Sequence, residues 1–167
     1  MDFNDTAEEA KFRKEAHEWL KANASLKKGP KDGWRAASEE EGLELVKVWQ
    51  NKLYESGWAC MHWPKEFGGR ESTPIERVIW GQEISKFKVP GGYLEIGQGM
   101  AGPVMMMYAT EEQKARHLPP MAKGEEIWCQ LFSEPAGGSD LAALRTKAVR
   151  DGDDYVVNGT KHFISHA

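Results

Sequence analysis

The residues best suited to chemistry gather in one stretch, Gln130-Leu131-Phe132-Ser133-Glu134-Pro135-Ala136-Gly137-Gly138-Ser139-Asp140. The apolar run Ile127 to Phe132 feeds a loop of Ser, Pro, Gly and Asp. Gly137 and Gly138 lack a Cβ, so a ligand can approach the backbone closely there. Backbone N–H groups, with the hydroxyls of Ser133 and Ser139, can form a concave set of donors. Such a set holds a phosphate, or the carbonyl oxygens of a ring, without net positive charge. An ordinary glycine-containing loop has the same composition, so composition alone leaves both readings open. Phe132 and Phe163 suit the wall of a flat ring and equally suit a plain core.

The elements that must position this stretch change character near residue 126. Before it the chain reads as helices. Thr6-Ala7-Glu8-Glu9, Ser38 with Glu41, Thr73-Pro74-Ile75-Glu76 and Thr110-Glu111-Glu112-Gln113 are four capping boxes. Behind the first, Phe12, Ala16, Trp19 and Leu20 recur at helical spacing; behind the second, Leu43, Val46, Trp49 and Leu53 do the same. Gly57 is a helix stop, the third helix ends before Pro90, and the fourth box opens a helix running towards Gly124. Gly91 to Tyr108, broken by Pro103, reads as two short helical pieces or one kinked helix. Trp58 and Trp63 are read as covers of the core at a loop crossing.

After Gly124 the pattern is that of strands. They are expected over 127–132, 144–149, 155–157 and 160–165, with a turn at Asp151-Gly152-Asp153-Asp154 and a hairpin at Asn158-Gly159. The expected organisation is α+β: a helical domain over 1–125, then the first strands of a β-barrel-like or β-sandwich domain over 126–167. That sheet would stop at Ala167 without closure, which argues for part of a longer enzyme.

The 167 residues are 40% hydrophobic and 29% charged, which excludes a disordered chain. No apolar run is long enough for a membrane span. The net charge of -4 offers no basic footprint for nucleic acid. Met1 to Ala10 is acidic, unlike a secretory signal or an Arg-rich transit peptide. Cys60 and Cys129 have no metal-ligand spacing, so neither a metal site nor a disulfide is expected, and a cytoplasmic setting fits.

The run Ser133 to Asp140 resembles the TEPxAGSD signature of the acyl-CoA dehydrogenase family, with Ser in place of the first Thr. Thr146-Lys147-Ala148 and Asp151 to Ser165 resemble a further passage of that family, as do Gly57-Trp58, Pro64 to Gly69 and Thr110 to Leu118. The resemblance runs in order over nearly the whole chain. It implies a helical domain, a middle β domain and a C-terminal four-helix bundle, with FAD as cofactor and an acyl-CoA as substrate. A carboxylate takes the α proton and the flavin takes the β hydride.

Residue by residue, it implies flavin contacts at Gln130, Phe132 and Ser133, and a pyrophosphate or CoA contact at Ser139. Phe163, where Trp is frequent, and Ser165 would meet the isoalloxazine; His166 stands where Asn is common. Met105, Met106 and Met107, with the Gly-rich piece before them, match the acyl-clasping region, although methionines also simply pack helices. Glu134 belongs to the signature loop as a cap or ion pair, not as the base. No carboxylate here matches the catalytic base, so the 167 residues alone are expected to be inactive. The expected partners are an electron-transfer flavoprotein or similar acceptor and further copies in a homo-oligomer. A flavin oxidase or monooxygenase relative, or a non-catalytic binding or assembly module of the same fold, is the alternative.

Overall fold

The structure, a computed structural model, describes residues 4–165. His166 and Ala167 lie outside the described residues. The chain divides into two compact units, with the boundary between Glu126 and Ile127.

The first unit is built from five helices: α1 (Ala7–Asn23), α2 (Glu39–Glu55), α3 (Pro74–Ile84), α4 (Gly102–Tyr108) and α5 (Glu111–Lys123). It is not purely helical. Short strands β1 (Ser25–Leu26) and β2 (Phe87–Lys88) pair antiparallel, Ser25 with Lys88 and Leu26 with Phe87. The helix starts follow from their caps. Thr6, Thr73 and Thr110 each accept from the N–H three residues on, and Glu9, Glu76 and Gln113 reach back to complete the box. At α2 the box is half made. Ser38 Oγ accepts from Glu41 N, but the Glu41 carboxylate turns to the N–H of Ala37. Gly124 ends α5 at φ 80, a left-handed value that suits glycine.

The core comes from one face of each of four helices, α4 contributing only Gly102. Phe12, Ala16 and Leu20 of α1 are buried, as are Val46, Trp49 and Leu53 of α2, Ile79 of α3, and Leu118 and Met121 of α5. Aromatic rings fill the space between α1 and α3. Trp58 stacks on Trp80 with centroids 4.7 Å apart, and Trp19 tilts against Trp49, Trp58 and Trp80. The Arg70 guanidinium lies 3.9 Å over the Trp58 ring, donates to Gly57 O and pairs with Glu15. Trp58 and Trp63 are both buried.

α1 is also pinned to α3 by charge. Glu83, only 1% exposed, accepts from Arg13, Lys86 and the His17 ring at 3.1, 2.7 and 3.0 Å. Burial pushes its pKa up, but the hydrogen bonds from Lys86, His17 and Arg13 outweigh it and hold the carboxyl below its ordinary value.

In the second unit two strands form, β3 (Lys147–Asp151) and β4 (Asp154–Asn158), antiparallel with Asp151 opposite Asp154. Their turn is Gly152-Asp153, with Gly152 at φ 64, the Gly-X pattern of a tight hairpin. The strand expected over 144–149 is therefore shifted to 147–151, and that over 155–157 extends by one residue at each end. The strands expected over 127–132 and 160–165 do not form. Nor does Asn158-Gly159 make a hairpin. Neither residue has the positive φ that a type I′ turn requires at both central positions. Gly159 instead lies so close to Thr146 that a Cβ there would sit 2.1 Å from its Oγ1. Asn158-Gly159 serves a close approach, not a reversal.

Candidate functional site

The signature loop is organised around Glu134. It is 5% exposed, and its carboxylate accepts from Arg145 N at 2.7 Å, Thr146 N at 2.9 Å and Lys161 Nζ at 2.8 Å. Lys161 also donates to Phe132 O, and His162 N donates to Ser133 O. Glu134 and Gly137 exchange backbone hydrogen bonds, closing the Pro135-Ala136 turn. Three passages distant in sequence are thus tied to one buried carboxylate. The Lys161 ammonium first, then the donors from Thr146 and Arg145, hold the Glu134 pKa far below the usual carboxylate range. A group so firmly ionised and so fully occupied by donors is a fastener, not a proton carrier.

This network brings some of the sequence-predicted residues together. The Ser133–His162 bond lays Phe132 and Ser133 beside the Lys161–Phe163 passage. Phe163 is 90% exposed, with φ 53, an uncommon value for a residue with a Cβ. Its ring stands 4.3 Å from the His162 ring. Phe132 is half-exposed and Ser133 half-buried. Ser139 and Ser165 are exposed and Gln130 is half-buried. Ser165 is expected on a strand and Ser133 in the loop just after one; both lie in non-strand backbone.

The residues fit a flavin. Two exposed aromatic rings are available as walls, one of them held out by uncommon backbone geometry. A Cβ at Gly138 would meet nothing within 4 Å, so the loop backbone there is open to a close-lying group. The hydroxyls of Ser133 and Ser139 flank that opening in sequence.

In the first unit the methionine run divides. Met107 is 71% exposed, whereas Met105 and Met106 are half-buried. The open apolar face is made by Met100, Val104, Met107 and Tyr108, spaced as one side of a helix. Before α4 the chain makes a π turn, Gly97–Ala101, in which Gly102 N donates to Gly97 O. Trp63, fully buried, donates from Nε1 to Gln98 O at 2.8 Å, and the Gln98 side chain donates to Met121 O. A Cβ on Gly102 would lie 2.1 Å from Trp63 Cζ2. The His62 ring lies against the Gln98 backbone; its pKa is lowered by burial and by the Arg77 charge, against that contact. Sequence reasoning missed this arrangement of Trp63, Gln98 and Gly102. Its one visible trace is Pro103, set directly after a Gly-rich helical piece.

The first unit is thus mainly helical, and the second opens with a Ser-Glu-Pro loop clamped by a lysine. The comparisons with known proteins agree. Residues 6–125 match the acyl-CoA dehydrogenase N-terminal domain and residues 129–167 the acyl-CoA dehydrogenase middle domain. The chain belongs to the acyl-CoA dehydrogenase family. It is 34% identical over 157 residues to acyl-CoA dehydrogenase IpdE1 of Mycobacterium tuberculosis, covering 93% of this chain and 41% of that one. It is 32% identical to the short-chain specific acyl-CoA dehydrogenase of Clostridium acetobutylicum, covering 99% of this chain and 42% of that one. Among solved structures, the ChsE4–ChsE5 complex of Mycobacterium tuberculosis matches with a TM-score of 0.70 and 32% identity, over 99% of this chain and 40% of that one. The chain spans about two fifths of the length of each of these relatives.

Proposed function

We propose that the protein to which this chain belongs is an FAD-dependent acyl-CoA dehydrogenase, introducing a double bond between the α and β carbons of an acyl-CoA thioester. The single observation that carries this reading is the Glu134-centred clamp. It gathers the signature loop and the Lys161–Phe163 passage, with Lys161 donating to Phe132 O and His162 N donating to Ser133 O. FAD supplies a hydride acceptor there. Phe132 and Phe163 wall its ring and exclude water from one face. The Ser133 and Ser165 hydroxyls donate to the ring, where negative charge grows on reduction. Ser139, with Gly137 and Gly138, holds the pyrophosphate or the CoA. Met107 and its neighbours on α4 contact the acyl tail.

The helical domain over 1–125 and the β domain from 126 onward are separate folding units in this reading. The base that takes the α proton belongs to a part of the protein outside these 167 residues. The acceptor of the electrons is an electron-transfer flavoprotein or a similar carrier. The whole protein works as an oligomer, homomeric or built with a related second chain, as the two names in the ChsE4–ChsE5 complex suggest for that relative. Both cysteines are free thiols, which suits a reducing cytoplasm. The test is the visible spectrum of the purified full-length gene product. A yellow protein whose flavin retention drops in Phe163→Ala supports the reading. A protein that binds acyl-CoA but takes up no FAD supports a non-catalytic binding module instead.

A further inference from the structure

The π turn ahead of α4 leaves one backbone carbonyl without its usual partner. In an α-helix, Gln98 C=O would accept from the N–H of Gly102. Here Gly102 N donates to Gly97 O instead. In the wider π register the next donor for Gln98 would be residue 103, and that is Pro103, which has no N–H. The carbonyl is satisfied from 35 positions away, by the buried indole of Trp63. Gly102 is what lets the indole lie against the turn, since any Cβ there would strike its ring.

We propose that Trp63 is a positioning residue for acyl-chain selection. By donating to the Gln98 carbonyl it holds the π turn, and so sets the face of α4 that meets the acyl tail. The inference rests on the reading that Met107 and its neighbours contact that tail. The physical reason is one of phase. Relaxing a π turn to α register rotates the rest of α4 by about 100°, the angle per residue of an α-helix. Met107 and Tyr108 would then turn away from the side that Leu94, buried ahead of the turn, fixes against the core. Without the indole N–H, the α register becomes the better choice, because it gives Gln98 O the Gly102 N–H as partner. The His62 ring also lies against the Gln98 backbone and is placed to substitute.

The test uses the full-length holoenzyme carrying Trp63→Phe, alone and with His62→Ala, and separately Gly102→Ala, which prises the indole from the turn. Met107→Ala serves as the check on the underlying reading. The readout is kcat and KM over a straight-chain acyl-CoA series from butyryl to palmitoyl, with flavin content and Tm. The expected result is a change of at least about fivefold in the long-to-short ratio of kcat/KM, carried by KM, with kcat on butyryl-CoA within about twofold of the parent. An unchanged ratio in the Trp63 and Gly102 variants, with a shifted ratio in Met107→Ala, overturns the positioning role and leaves the acyl-pocket reading standing. An unchanged ratio in all of them overturns both. A uniform fall across chain lengths with a lowered Tm assigns Trp63 to packing alone and also overturns the proposal.

Discussion

Glu134 and Lys161, 27 positions apart, close a 2.8 Å contact between Oε1 and Nζ that ties the two ends of the candidate flavin surface together. The same carboxylate takes two backbone donors from the segment leading into β3. Removing its charge therefore disturbs three segments at once. Glu134→Gln is expected to lower flavin retention and Tm together, and Lys161→Met is expected to do the same. Retention and Tm unchanged in both variants would show that the clamp does not hold the flavin surface.

The clamp also fixes a sign for pH dependence. A carboxylate whose folded pKa is depressed contributes stability above its unfolded pKa and loses it as pH falls towards the folded one. Glu134 and Glu83 are both depressed. Stability should be flat near neutrality and decline below the ordinary carboxylate pKa of about 4. Urea unfolding followed at neutral and acid pH checks this. In Glu83→Gln the acid decline should shrink, and stability at neutral pH should fall by about 1.5–3 kcal/mol, the range for hydrogen bonds to a charged group.

Two glycines in helical backbone should respond oppositely to alanine. In α3, a Cβ on Gly81 meets nothing within 4 Å, so Gly81→Ala should stabilise by about 0.5–1 kcal/mol through the helix propensity gained. Gly102→Ala drives a methyl into the Trp63 ring and should cost about 1–3 kcal/mol. Thermal unfolding of the two variants beside the parent separates them.

The hydroxyls proposed to face the flavin carry a smaller expectation. Ser133→Ala and Ser165→Ala should each weaken FAD binding by about 0.5–1.5 kcal/mol, the net worth of one hydrogen bond. Equilibrium dialysis against FAD, with the reduction potential measured in parallel, is the check. Affinity and potential unchanged in both would take these serines out of the site.

The parts of the fold legible in the sequence are those fixed by neighbours along the chain. Thr6, Thr73 and Thr110 announce their helices because both halves of a capping box lie within four residues. Phe12, Ala16 and Leu20 announce a buried face by spacing alone. Ser38 shows the margin of such reasoning: Glu41 finds Ala37 N, one residue off the expected target. The strands were less legible because a ladder needs a neighbour, and Ile127 to Phe132 has none among the described residues. Asn158-Gly159 carried the strongest hairpin signal, yet Thr146 from a distant segment claimed the space beside Gly159. The site was legible as a motif, Ser133 to Asp140. Its organisation was not, since nothing local in Glu134 or Trp63 says that Lys161 or Gln98 is the partner.

The most direct test of acyl-CoA dehydrogenation is an anaerobic titration of the purified full-length protein with an acyl-CoA series. The predicted result is that at least one saturated acyl-CoA bleaches the visible flavin band. One 2-enoyl-CoA should form per flavin reduced, as the α proton passes to a base and the β hydride to the flavin. A flavin that stays oxidised with every acyl-CoA offered, or a protein that holds no flavin at all, would contradict it.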